Sequence, residues 1–145
     1  MLFATASACF AQSPAAACSV GTEYLPALCA SPLPVLKAVV IEQQASAEPG
    51  NSACAHFTLS QAQVARFFRQ ARLIKDENEG RAKLDWLPCA SRGKLFFADG
   101  QTAQWSISPA RSAVVVFESG QRLAMLCLSC RFKPFPAAAN QPGID

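Results

Sequence analysis

Two cysteines near the end of the chain have the spacing of a thiol redox pair. Cys127 and Cys130 form a C-x-x-C arrangement, in which one thiolate can attack a disulfide and the other can resolve the mixed disulfide. A helix N-terminus favours that chemistry because its dipole stabilises a thiolate. Here the pair ends a predicted strand and is followed by Arg131 and Lys133. A structural disulfide is therefore the favoured interpretation, with a redox pair as an alternative.

A zinc site is the second chemistry that these residues allow. Cys54 and His56 would join Cys127 and Cys130 to give four ligands of the types that zinc prefers. Cys-x-His is not a usual zinc spacing, however, and the chain has no second C-x-x-C. Zinc binding stays an alternative, and no cofactor is predicted.

Outside these cysteines the sequence has no recognisable set of catalytic residues. His56 is the only histidine, and no serine or acidic residue accompanies it at a recognisable spacing. The sequence has no nucleophile elbow, no glycine-rich phosphate loop and no paired carboxylates in a shared context. We therefore expect that the protein is not an enzyme.

The number of cysteines indicates disulfide bonds. The chain has seven cysteines, and Cys9 would be removed with a signal peptide. The other six are candidates for structural disulfides: Cys18, Cys29, Cys54, Cys89, Cys127 and Cys130. A disulfide framework of this kind predicts an oxidising compartment, periplasmic or secreted.

The sequence does not choose among the pairings of these six cysteines. Cys18 and Cys29 flank one short stretch and could close it locally. Cys89 precedes the predicted sheet and Cys127 and Cys130 end it, so a bridge between these regions would join the two ends of the sheet. Both arrangements stay open at this point.

The second half of the chain has the pattern of consecutive strands and turns. Four runs rich in Val, Phe, Ile and Leu have the length of ordinary strands: residues 94–98, 102–108, 112–118 and 122–128. Gly100 and Gly120 supply the positive φ that a tight hairpin turn favours. Pro109 ends the second run because it has no backbone N–H to donate. We expect a four-stranded antiparallel meander with Trp105 facing the core.

The segment before the meander predicts one amphipathic helix. Ser60 and Gln63 have the spacing of a capping box. Five apolar residues then recur at helical spacing and would pack on the sheet: Val64, Phe67, Phe68, Ala71 and Ile74. Residues 76–83 are expected to form an exposed loop after the helix.

The other side of this predicted helix is positively charged. It carries Arg66, Arg69, Arg72 and Lys75, with no acidic residue before Asp76. The three arginines are the candidate surface for a protein partner. A solvated helix face is the simpler interpretation, because no aromatic residues are interleaved with these charges.

The start of the chain differs in composition from the rest. Residues 1–34 are dominated by Ala, Ser, Pro and Cys, with Glu23 as their only charged residue. We interpret residues 1–34 as a clipped signal peptide followed by a linker, and an alanine-rich disordered tail is the alternative. Residues 35–136 are predicted to form a single α+β domain that adds a strand over residues 35–43, and residues 137–145 a disordered tail.

Length and charge limit the classes of partner. A chain of 145 residues that is 51% hydrophobic has enough apolar material for one folded core. Its net charge of +3 is too small to indicate nucleic acid by itself. No apolar run reaches the length of about 18 residues that a membrane helix needs. We expect no nucleic acid and no membrane span, and another protein is the class of partner that we consider.

A series of short motifs runs from the helix to the end of the meander. In order they are Trp86-Leu87-Pro88-Cys89, Gly93, Asp99-Gly100, Trp105-Ser106-Ile107, Gly120 and Leu126-Cys127-Leu128-Ser129-Cys130. This series, over residues 57–135, resembles a group of small exported proteins of Gram-negative bacteria. Members of that group typically have a signal peptide, a W-S-P-C segment and a C-terminal C-x-x-C, and no assigned reaction.

The chain departs from that group at two places. Leu87 stands where the group usually has serine, and the cysteine-containing front end is longer, so the pairing of its cysteines does not follow from the resemblance. The shared motifs are structural ones. The resemblance therefore implies export and a disulfide-stabilised fold more than it implies an activity.

These observations predict an α+β fold in which one amphipathic helix packs on a four-stranded antiparallel meander, stabilised by disulfides. The expected function is that of a non-enzymatic exported domain, a periplasmic protein-binding or inhibitor protein such as the immunity partner of a toxin. The alternative function is a thiol redox or zinc-binding module that uses Cys127 and Cys130.

Overall fold

A computed structural model of the chain describes residues 17–47, 54–84, 87 and 89–136. The elements in chain order are strands β1 (Leu28–Cys29) and β2 (Leu36–Gln43), a 3₁₀ turn (Ala45–Ala47), helix α1 (Gln61–Gln70), strand β3 (Arg72–Ile74), helix α2 (Glu77–Lys83) and strands β4 (Ser91–Phe97), β5 (Thr102–Ile107), β6 (Ser112–Phe117) and β7 (Arg122–Leu126). The predicted signal peptide and its Cys9, the predicted C-terminal tail, and Trp86 and Pro88 of the W-x-P-C motif lie outside the described residues.

The prediction of a four-stranded meander with one helix is wrong. In the described part of the chain, seven strands form one antiparallel sheet in the order β1-β3-β7-β6-β5-β4-β2, and there are two helices. Strands β4 to β7 are consecutive neighbours in the middle of this sheet. Strand β2 extends it beyond β4, and β3 and β1 extend it beyond β7.

Turn chemistry explains the middle of the sheet. Gly100 and Gly120 each have φ of 90°, the left-handed conformation that costs glycine least. Each lies in a tight turn closed by a backbone hydrogen bond, donated by Gly100 to Phe97 and by Gly120 to Phe117. These local signals set the register of the hairpins, as the sequence predicts.

Helix α1 begins as predicted and ends earlier than predicted. The Ser60 side chain accepts from the backbone of Gln63, and the Gln63 side chain accepts from the backbone of Ser60, so the capping box is confirmed. At Ala71 the backbone turns to the extended conformation with ψ of 147°. The residues after it therefore form β3, which pairs with β1 and β7.

The segment after β3 is helical, so the prediction of an exposed loop over residues 76–83 is wrong. The Asp76 carboxylate caps the new helix by accepting from the backbone of Asn78 and Glu79. Acidic residues occupy the first turn of α2 and basic residues the last, the arrangement that the helix dipole favours. This short helix shows no apolar stripe in the sequence because it buries only Gly80.

The main core lies between α1 and one face of the sheet. Val64, Phe67 and Phe68 of α1 are buried there together with Trp105 of β5. The rings of Phe68 and Trp105 pack edge to face, with 6.3 Å between their centroids. Full burial of one large apolar side chain contributes about 1.5–3 kcal/mol. This cluster therefore accounts for much of the stability of the fold and fixes α1 on the sheet.

A smaller apolar cluster lies on the opposite face, under α2. It consists of Leu28, Ile74, Ala124 and Leu126, with Leu84 packed against them. Along β7 these residues alternate with Leu123 and Met125 of the main core, as expected for a strand buried on both faces. The sheet is thus covered on both faces at the β3–β7 end.

Gly93 allows an unusual contact between three strands. It lies on β4 directly opposite Trp105 of β5 and Ile41 of β2. Because Gly93 has no side chain, the Trp105 indole reaches across β4, and its Nε1 donates to the Val40 carbonyl at 3.2 Å. A Cβ atom at position 93 would clash with that carbonyl. The contact holds β2 against the rest of the sheet.

Candidate functional site

The six described cysteines form three disulfides. The structure pairs Cys18 with Cys29, Cys54 with Cys89 and Cys127 with Cys130, so the predicted disulfide stabilisation is present. The first pairing is the local closure that the spacing allows. The bridge considered from Cys89 to Cys127 or Cys130 does not form, because Cys89 bonds to Cys54 across 35 residues of sequence.

The two cysteines of the C-x-x-C turn are buried, and they lie at the C-terminal end of α1. Cys127 is 1% exposed and Cys130 is 0% exposed, so neither sulfur is open to a substrate. The Cys130 sulfur lies 3.8 Å from Oε1 of Gln70, the last residue of α1. The negative end of a helix dipole disfavours a thiolate. This geometry is typical of a structural disulfide.

Arg111 clamps this turn to the loop between β5 and β6. Its Nε donates to the Cys130 carbonyl at 2.8 Å, and its own carbonyl accepts from the Cys127 amide at 3.0 Å. Burial lowers the pKa of the Arg111 guanidinium below its ordinary value, and the nearby positive charge of Arg131 lowers it further. The φ of Arg111, 68°, lies in the left-handed region, so the contacts of the guanidinium hold a strained backbone in place.

The residues predicted as a zinc site are not brought together as ligands. The sulfurs of Cys54, Cys127 and Cys130 are all bonded in disulfides, and His56 is exposed. In the described ranges no group of three or more His, Cys, Asp or Glu side chains is placed to hold a metal ion.

The three arginines predicted as a partner surface have different surroundings. Arg66 lies over the ring of Phe132, at 4.4 Å from its centroid. Arg72 belongs to β3 rather than to α1, and its guanidinium donates to the Ala17 carbonyl at 3.1 Å. Arg69 instead lines a groove beside α1. Of the three arginines, Arg69 is the one that lines this groove.

That groove lies between α1 and the first half of the edge strand β2. Its volume is about 900 Å³, within the range of ligand-binding clefts. Four residues that lead into β2 complete its wall: Ser31, Leu33, Pro34 and Val35. The apolar side chains that line it include Leu33, Leu36, Val39, Ala65, Phe68 and Phe97. We call this cavity the α1–β2 groove.

A polar contact joins the end of β2 to the start of α1, beyond the part of β2 that lines the groove. Gln44 follows directly after β2, and its side-chain amide both donates to the Leu59 carbonyl at 2.8 Å and accepts from the Leu59 amide at 3.0 Å. Leu59 immediately precedes the N-cap of α1. The contact therefore fixes the N-terminal end of α1 beside the C-terminal end of β2.

The charges at the groove have one sign. Lys37 and Arg69 are exposed and lie at its margin. Among the described residues that line the groove none is acidic, and within the described residues neither cation forms an ion pair. An apolar floor beside uncompensated cations can accept a group that carries both apolar surface and negative charge.

Sequence reasoning found Arg69 but missed Lys37 and the groove floor. Leu33, Leu36 and Phe68 come together only because β2 pairs with β4 and α1 packs beside it, which are non-local contacts. The one local signal is Lys37, a lysine that follows a proline-rich stretch and precedes the apolar run of residues 38–41. A lysine of this kind is typical of an exposed sheet edge.

Comparisons with protein-family models, with curated proteins and with solved structures find no match to this chain. Across the ranges that the structure describes, none of the helices has the length and apolarity to cross a membrane.

Proposed function

We propose that the protein is a non-enzymatic, exported binding domain whose partner is another protein held in the α1–β2 groove. The observation that carries this proposal is the groove itself, an open apolar cleft beside an edge strand, with two cations that form no ion pair within the described residues. Inhibitors and immunity proteins of secreted enzymes or toxins are examples of this class of function.

The edge strand supports a protein as the ligand. In the sheet order β2 is a terminal strand, so its outer backbone groups have no strand partner among the described residues. Exposed edges of this kind pair with extended segments of other proteins, and pockets beside the edge then select the side chains. A groove with a helix on one side and a free strand edge on the other offers both kinds of contact.

The disulfides support export as part of the same proposal. Three disulfides in a small domain are typical of proteins that fold in an oxidising compartment. The resemblance to small exported proteins of Gram-negative bacteria favours the periplasm. The burial of Cys127 and Cys130 supports a stabilising role for that pair rather than redox exchange with a substrate.

Site-specific photocrosslinking in the producing cell tests the binding site. Ala62 is exposed on α1 and lines the groove, whereas Ala82 is exposed on α2, away from it. We expect that a benzoylphenylalanine at position 62 forms an adduct with one protein, identified by mass spectrometry. The same group at position 82 should give no such adduct. If the adducts are the same at both positions, or if none forms at position 62, the proposal is wrong.

Intact mass with alkylation tests the exported, oxidised state. In the protein recovered from its own cell, we expect the six cysteines of the three disulfides to resist alkylation until they are reduced. Free thiols at Cys127 and Cys130 would contradict this expectation and would favour the redox alternative.

A further inference from the structure

Building on the proposed function, we infer that the partner inserts a short extended segment that carries acidic side chains and pairs with β2 as an added strand. This inference specifies the chemistry of the ligand. It rests on the shape of the edge strand, the floor of the groove and the sign of its charges.

The edge of β2 offers only a short run for regular pairing. Its register with β4 is interrupted between Leu36 and Ala38 and again between Ile41 and Gln43. Between these irregularities, Ala38–Ile41 pairs in step with β4. Bulges at both ends of an edge protect it against indiscriminate strand pairing. A partner segment is therefore restricted to a few residues in contact with this central run.

The apolar floor selects side chains at every second position. Successive side chains of a strand point to opposite faces, so an added strand beside β2 directs alternate residues towards α1. There they meet Leu36, Phe68 and Ala65. The ligand therefore alternates apolar residues that enter the groove with residues that stay in solvent.

The cations select the charge of the segment. Lys37 on the β2 wall and Arg69 on the α1 wall lie on opposite sides of the groove, and the region of α1 contains no acid to balance them. A carboxylate between these walls gains charge-assisted hydrogen bonds, which are stronger than neutral ones. A basic segment would be repelled by both walls.

A second open cavity on the sheet lacks this asymmetry of charge. It lies on the opposite face and is lined by residues that include Glu42, Gln104 and Arg122. Arg122 is already paired with Glu77 at 2.9 Å, and Glu42 supplies a negative charge. The charge of that cavity is therefore partly balanced within the protein, which makes the α1–β2 groove the better site for an acidic ligand.

Selection from a phage-displayed library of random ten-residue peptides on the full chain tests the inference. We expect the selected peptides to alternate apolar residues and to contain at least one Asp or Glu. Their affinity, measured by calorimetry, should fall about tenfold or more in the variants Lys37→Glu and Arg69→Glu. It should also fall as salt concentration rises.

Lys94→Glu is the matched control for charge. Lys94 is an exposed cation on the opposite face of the neighbouring strand β4 and does not line the groove. We expect this variant to bind the selected peptides within about twofold of the unmodified protein. An equal loss of affinity in Lys94→Glu and Arg69→Glu would show a general effect of net charge and would overturn the inference.

Hydrogen exchange tests strand addition separately from charge. The peptide should slow exchange at amides within residues 38–41 of β2, because an added strand bonds to them. If β2 amides are not protected, the segment does not pair with the edge, and the inference is wrong. Binding of n-dodecanoate in the groove, with no peptide selected, would also overturn it in favour of a free anionic amphiphile.

These outcomes separate the inference from the proposed function. A protein crosslinked at position 62 whose contact segment is basic or helical would overturn the inference and leave the proposed function standing. Failure to crosslink any protein at position 62 would overturn the proposed function itself.

Discussion

The two edges of the sheet differ. At the β1 edge, a disulfide and ionic contacts attach the neighbouring segments of the chain, whereas the β2 edge borders an open groove. Strand β1 has only two residues, and its Cys29 is bonded to Cys18. Strand β2 has eight residues. No strand covers its outer side among the described residues. One edge of the sheet is therefore short and attached by a disulfide, and the other is long and open within the described residues.

Ionic contacts complete the closure of the β1 edge. Oε1 of Glu79 on α2 accepts from the Ala27 amide at 3.3 Å and pairs with Lys83 Nζ at 2.9 Å. The Lys83 ammonium also donates to the Thr22 carbonyl at 2.6 Å. These side chains connect α2 to the loop that the first disulfide closes. Their charges are used within the protein.

The cations of the β2 edge have no such partners among the described residues. Lys37 and Arg69 lie at the margin of the open α1–β2 groove. The two edges of the sheet therefore differ in how their charges are placed. Near β1 the charges connect elements of the protein, and at β2 they form no ion pair within the described residues.

We expect the largest loss of stability from a methyl group added beside β2. Gly93→Ala places a Cβ against the Val40 carbonyl and displaces the acceptor of the Trp105 indole. Overpacking together with an unsatisfied buried donor should lower the free energy of unfolding by about 3–5 kcal/mol. Urea denaturation followed by Trp fluorescence measures this loss.

The matched control adds the same methyl group near the β1 edge. In Gly80→Ala the Cβ lies 3.0 Å from Cγ2 of Ile74, and this crowding opposes a gain of about 1 kcal/mol in helix propensity. The net change should stay within about 1 kcal/mol. Equal losses in the two variants would contradict the described packing of β2.

Removal of the first disulfide should open the closed edge. The bridge between Cys18 and Cys29 spans 11 residues of sequence, so Cys18→Ala with Cys29→Ala should cost about 3 kcal/mol in the chain-entropy account. Hydrogen exchange should accelerate in β1 and β3 and stay unchanged in β2. Loss of protection across the whole sheet would show that the two edges are not independent.

The ionic contacts of the closed edge should contribute less. Glu79→Gln removes the ion pair with Lys83 and weakens the bond to the Ala27 amide, so we expect a loss of about 1 kcal/mol in urea denaturation. Glu42→Gln at the other edge is the control, because the exposed Glu42 lies outside the closed network. An equal loss in both variants would count against a structural role for the charges near β1.

The smallest effect on stability is expected where we propose the largest effect on binding. Lys37→Glu and Arg69→Glu alter exposed side chains that form no ion pair within the described residues. Each should leave the free energy of unfolding within about 0.5 kcal/mol of the original value. A loss well above that, measured by the same denaturation, would mean that these cations are structural.

Local signals in the sequence predicted the local parts of this fold. The glycine turns of the meander and the capping box at Ser60 act between residues a few positions apart, and both are present. The boundary at Ala71 was missed because Ala71 and Ile74 continue the apolar spacing of the helix. Ile74 is buried as expected, but in the second cluster, through strand β3.

The missed elements depend on distant partners. Strand β1 is too short to show any pattern, and it lies in the stretch that composition assigned to leader and linker. It exists because Leu28 and Cys29 pair with β3, about 45 positions later. The α1–β2 groove likewise depends on pairing between β2 and β4. The sequence shows Arg69 and Lys37, but no local pattern in it predicts that both lie at the same groove.

The order of the strands also determines when the chain can fold. Strand β2 has its only described strand partner in β4, and β3 is joined to the main sheet through β7, the last strand of all. Apart from the short pairing of β1 with β3, the N-terminal half therefore cannot build any part of the sheet until later strands emerge during synthesis. Non-local pairing of this kind makes folding slow. The chain can reach its native state only after its final strand has left the ribosome, so the sheet forms after synthesis rather than during it.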